Sequence, residues 1–158
     1  MKFLLLLLFT IIFSSTSYAN SCYTKLEAEA EQGIRIHSEL MVIGLNCAHM
    51  ADANGNNLYM EHKKFTTKHE KLFSTYEKIL MDYMRDNNIK NPDKAMHKLR
   101  TEFANKISND AAEMRPDIFC KTFASRIGQV AKMSGATLRR WAATPFAGHE
   151  VSNPLCEG

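Results

Sequence analysis

Two cysteines, Cys22 and Cys47, stand at opposite ends of one unbroken helical pattern, and their separation constrains every fold open to the chain. Leu26, Ala30, Gly33, His37, Leu40, Gly44 and Cys47 recur at alternating steps of four and three, the stripe by which a helix faces a bundle core. At the helical rise per residue, the two cysteines lie about 37 Å apart. A disulfide needs Cα atoms within about 7 Å, so these two cannot bond to each other.

The compartment follows from the first residues. Met1-Lys2 precedes an apolar run over 3–13, then small polar residues ending in Ser17-Tyr18-Ala19. That order reads as a secretory signal peptide over 1–19. The run is shorter than the roughly 20 apolar residues a membrane-spanning helix needs. The sequence therefore predicts export to the periplasm or the medium, an oxidising setting for all four cysteines. An even cysteine count there favours two disulfides. Acylation of Cys22 is disfavoured, because Ala19-Asn20-Ser21 lacks the usual pattern and three cysteines would remain.

The residues after the leader, about 20–158, suffice for a single domain with its own core. Removing the leader takes away one base, Lys2, and lowers the formal charge from +3 to +2. So slight a basic excess argues against nucleic-acid binding. No later apolar run is long enough to be a transmembrane segment.

The pattern after residue 20 is helical throughout, with no sustained alternation of period two. The spacing predicts helices over 24–50, 58–86 and 92–114, a fourth that follows the Arg115-Pro116-Asp117 break and runs to 133, a short final one over 136–143, and an irregular tail from about 145. Asn91-Pro92 supplies an N-cap and a first-turn proline for the third. Gly33 and Gly44 cost helix propensity and imply close approach of a neighbouring helix. Short connections and core-facing seams predict an all-α, antiparallel up-down four-helix bundle stapled by disulfides. In that topology Cys120 opens the fourth helix where Cys47 closes the first. Cys156 follows the fourth helix at the end where Cys22 opens the first. The expected pairs are Cys47–Cys120 and Cys22–Cys156.

Chemistry is less legible. His37 and His69 sit in the seams of the first two helices at similar heights, with His97 and Met133 near that level. Imidazole and thioether ligate haem iron or a transition metal, which makes His37, His69 and Met133 ligand candidates. The plainer reading is a hydrogen-bonded core role for each histidine. His62, Lys63, Lys64, Lys68, His69 and Lys71 together read as a basic solvated face. Arg139, Arg140 and Trp141 are residue types enriched in interaction hot spots, and the competing reading is a tryptophan closing the bundle's end. No Glu-x-x-His, HExxH, GxSxG or glycine-rich phosphate loop occurs. The sequence thus predicts an exported, disulfide-stabilised bundle that acts by binding, with a protein partner in the cell envelope, rather than by catalysis. The alternative is a haem- or metal-binding bundle using His37 and His69.

Mass spectrometry of the exported protein should give the mass of a chain starting near Asn20, less four hydrogens. A lipid-modified Cys22, or thiols titratable after unfolding, would contradict it.

Overall fold

The computed structural model describes residues 22–51, 55–146 and 148–157, so the expected leader lies outside the described residues. Those residues form seven helices: α1 (Lys25–Asn46), α2 (Leu58–Lys68), α3 (Glu70–Asp86), α4 (Pro92–Glu113), α5 (Pro116–Phe123), α6 (Ser125–Ala131) and α7 (Gly135–Ala142). The fold is an all-helical bundle stapled by two disulfides, and α1 is its axis. α1 packs against each of the other six helices, while α3 lies on α4 and α2 on α6.

Local chemistry sets the helix ends. Thr24 opens α1 with a capping box, its hydroxyl accepting from the Glu27 N–H and the Glu27 carboxylate accepting from the Thr24 N–H. Asn57 caps α2, and Asn91 caps α4 ahead of Pro92. Ser134 caps α7 by accepting from the Thr137 N–H at 3.1 Å.

Two helices expected to be continuous are each interrupted at one residue. His69 closes α2 and opens α3 with φ −110° and ψ 14°. The hydrogen-bond ladder runs almost unbroken through it, from His69 N–H to the Phe65 carbonyl and from Phe73 N–H to the His69 carbonyl. The effect is a change of direction, which lets α2 lie on α6 and α3 on α4. Ala124 divides α5 from α6 in the same manner, keeping helical dihedrals and an N–H bond to the Cys120 carbonyl.

Both glycines of α1 mark close approaches. A Cβ at Gly33 would collide with the Tyr76 ring of α3, and one at Gly44 would stand 3.2 Å from the His62 Cβ of α2. Tyr76, Leu80, Met96, Phe119, Ile127 and Leu138 then fill the core around Ile34, Leu40 and Ile43.

Cys22 is bonded to Cys156 and Cys47 to Cys120, with Cα separations of 4.9 and 5.6 Å. This is the pairing expected from the length of the first helix together with the up-down order of the bundle. In the chain-entropy account each closes a long loop and contributes about 4–5 kcal/mol. The first also holds the tail: Tyr23 N–H donates to the Pro154 carbonyl at 2.7 Å and Cys156 N–H to the Tyr23 carbonyl at 2.9 Å. No helix among the described residues is long and apolar enough to cross a membrane.

Gly33→Ala should cost about 1–3 kcal/mol through overpacking against Tyr76, despite alanine's better helix propensity. Gly128 in α6 has nothing within 4 Å of a built Cβ, so Gly128→Ala should gain up to about 1 kcal/mol. Urea unfolding of the oxidised protein reads both. Equal effects of the same sign would refute the close approach.

Candidate binding cleft

The middle of α1 carries polar residues where a core helix would be apolar. Glu31, Gln32, Arg35 and Glu39 are all buried. Spaced one, three and four apart, they share one face of the helix. That face is covered by the tail. Glu31 Oε1 accepts from the Ser152 N–H at 2.8 Å, and Arg35 donates to the Glu150 carbonyl at 2.6 Å. Gln32 Nε2 donates to the His149 carbonyl. The irregular tail has no helix or sheet to occupy its backbone groups, and these side chains supply partners for them. Arg35 also contacts Glu31 at 3.4 Å and lies over the Phe103 ring at 4.6 Å.

Beyond the tail's contacts the same face opens into a cavity of about 490 Å³ between α1, α6, α7 and the tail. Its polar lining includes Arg35, Glu39, Arg126 and His149, and its apolar lining includes Ile36, Met133 and Trp141. His149 Nδ1 is 3.4 Å from Glu39 Oε1. Burial raises the Glu39 carboxyl above the usual carboxylate range, against the pull of Arg35, Arg126 and Lys106. Burial lowers His149, helped by the same three cations. The contact is therefore a neutral imidazole beside a carboxyl rather than an ion pair at neutral pH. Arg126 lies over the Phe123 ring at 4.7 Å and, among the described residues, forms no ion pair. Arg35 Nε is buried without a hydrogen-bond partner.

The structure sorts the sequence-derived candidates differently. Met133 and Trp141 both line this cavity. Arg139 turns away to Glu29, its Nε 2.9 Å from Oε1, where the Tyr76 hydroxyl also donates at 2.7 Å. Arg140 is exposed and reaches Thr137. Arg35, Glu39 and Arg126 were missed, because a polar face on an amphipathic helix reads as solvated. The signal that could have found them is the apolar opposite face of α1, which leaves the middle of that helix, residues 30–40, with little surface for solvent once the tail packs on it.

The histidines form a separate group. His37 stacks on His62, ring centroids 5.7 Å apart, and lies 4.6 Å from Phe73. The Thr66 hydroxyl bridges the two imidazoles, 3.2 Å from His37 Nε2 and 3.4 Å from His62 Nε2. His62 is thus a core residue, 5% exposed, and not part of a solvated face. His69 is also 5% exposed, packs on Phe65 at 5.1 Å between ring centroids, and leaves its Nε2 without a hydrogen-bond partner. His97 faces solvent. The histidine brought to His37 is His62, one turn before Thr66 on α2, rather than His69. No group of three or more His, Cys, Asp or Glu placed to hold a metal ion occurs among the described residues.

The chain matches no protein-family model, and neither a curated protein nor a solved structure matches it significantly.

Burial pushes the His37 pKa down to about 4, with His62 and Arg100 adding to the shift, and His62 and His69 are lowered too. The unfolded chain then binds more protons than the folded one between about pH 6.5 and pH 4. Stability should be full above pH 6.5 and fall as pH drops through this window, His37 alone accounting for up to about 3 kcal/mol. His37→Phe should flatten the profile measured by urea unfolding across pH 4 to 8. An unchanged slope would contradict a half-buried, neutral His37.

Proposed function

We propose that the protein is exported, is held together outside the cytoplasm by its two disulfides, and acts by binding a small anionic ligand in the cleft between α1, α6, α7 and the tail. Small-molecule sites are concave, largely apolar and furnished with a few convergent polar groups. The cavity of about 490 Å³ has that composition. The observation that carries the reading is the pair of guanidinium groups at its wall. Arg126 has no carboxylate partner within ion-pair distance among the described residues, and Arg35 Nε is buried without an acceptor. An unmatched buried donor costs stability, and an anion entering the cleft supplies what it lacks.

We read the cleft as a site of binding rather than catalysis. Glu39 and His149 touch each other, and no nucleophile stands beside them in the lining. A carboxyl–imidazole contact of this kind adjusts charge: as Glu39 takes up a proton, the cleft becomes more cationic. The compartment, periplasm or medium, rests on the leader and on the disulfides. An envelope protein that supplies or receives the ligand fits this role.

Trp141 is the only tryptophan in the chain and lines the cleft, so its emission reports occupancy directly. Titration with benzoate should shift that emission saturably. Arg126→Gln should weaken binding by about tenfold, the scale of one charge-assisted hydrogen bond. Glu39→Gln should strengthen it at neutral pH and remove the gain that acidification gives the native protein. No response of Trp141 to millimolar anion would overturn the assignment.

A further inference from the structure

A second cavity, of about 800 Å³, adjoins the first and shares Gln32, Phe146 and His149 with it. It runs between the first turn of α1, the end of α7 and the tail, and its lining includes Leu26, Val151 and Leu155. Leu26, Phe146 and Leu155 are 47%, 43% and 50% exposed, and they are three of the nine large apolar side chains so exposed among the described residues. A seam position such as Leu26 would be covered in a closed bundle. Here the tail, tied to Tyr23 and Cys22, passes beside it and leaves it open.

The two halves differ in chemistry. At one end stand Arg35 and Arg126, with Lys106 acting on the same Glu39 carboxyl. Glu39 is the acid of that lining, with a neutral His149 3.4 Å away, while Glu31 pairs with Arg35 and Asp110 also acts on Glu39. At the other end the carboxylate of Glu29 is taken up by Tyr76 and Arg139, the exposed Lys25 and Glu150 carry opposite charges, and what remains toward the cavity is chiefly apolar. Isolated exposed apolar residues need no explanation, but a contiguous group lining a concavity marks a ligand or interaction site.

We infer that the two cavities form one site for a single-chain anionic amphiphile, its head beside Arg126 and Arg35 and its apolar chain passing Phe146 into the groove of Leu26, Val151 and Leu155. This rests on the anion-binding reading of the first cavity and adds the tail. The polarity of the occupant follows from Arg35 and Arg126 in the first cavity and from the chiefly apolar lining of the second, where Lys25 and Glu150 offset each other. Carboxylate and phosphate monoester heads share the chemistry that the guanidinium groups recognise.

The test uses the oxidised full-length mature protein and Trp141 emission, with dodecanoate, dodecyl phosphate, dodecyl maltoside and butyrate as probes, each below its micellar concentration. Dodecanoate should bind at least tenfold more tightly than butyrate. It should also bind at least tenfold more tightly than dodecyl maltoside, and Arg126→Gln should erase that second difference. Leu26→Asp, at an exposed position, should abolish the gain from chain length, with Leu155→Asp as an independent second variant. Whichever of dodecanoate and dodecyl phosphate binds more tightly identifies the head, and either order supports the site. Equal affinity for dodecanoate and butyrate would overturn the amphiphile while leaving the anion site standing. Dodecyl maltoside binding as tightly as dodecanoate would overturn the placement of the head. Silence of Trp141 toward all four probes would remove both readings together.

Discussion

Arg35 is the residue on which the rest of the structure depends. A guanidinium buried at the middle of the central helix must be neutralised and hydrogen-bonded, since an unpaired buried charge costs several kcal/mol. Glu31 one turn earlier supplies part of the charge, and the Phe103 ring of α4 supplies a face. The tail meets part of what remains, its Glu150 carbonyl accepting from Arg35 and its Ser152 N–H donating to Glu31, while Arg35 Nε is left without an acceptor. The tail is thereby a structural element although it has no regular secondary structure. Without it the polar face of α1 would stand in water, and neither cavity would have its outer wall.

The disulfides act on the same arrangement from its two ends. Cys22–Cys156 anchors the tail where it leaves α1, beside the Tyr23 pairing with residues 154 and 156. Cys47–Cys120 joins the C-terminal end of α1 to α5. With both ends of α1 fixed, its middle can hold charged side chains and two close glycine contacts without splaying apart. Burial of Tyr23 next to Glu31, which raises the Tyr23 hydroxyl well above its ordinary pKa, ties the anchor to the charged face.

The His37–His62 pair shows how one kink changes the role of a residue. As part of a straight helix with four nearby lysines, His62 falls on the solvated side. The break at His69 turns α2 onto α6, and Gly44 lets α2 approach α1 until the two imidazoles stack. The seam position of His37 was readable from spacing alone, but its partner was not, because the rotation of α2 about its own axis is set by tertiary contacts. The same limit explains Leu26, which keeps the seam spacing yet lies open beside the tail.

What the sequence determined by itself is what depends on neighbours along the chain. Asn91 ahead of Pro92 marks a helix start because its side chain bonds the N–H group three residues on. The disulfide pairing was legible because a helix is a ruler of fixed rise that excludes Cys22–Cys47, and the up-down order of the helices chose between the two pairings left. The all-helical class followed from periodicity for the same reason. Tertiary structure alone decided that Arg35, Glu39, Arg126 and Trp141 share one cleft. Those residues come from three helices and are enclosed by a segment with no periodic signal. Their meeting depends on where an irregular tail finds partners for its backbone groups, a choice made by long-range hydrogen bonding that no local pattern encodes.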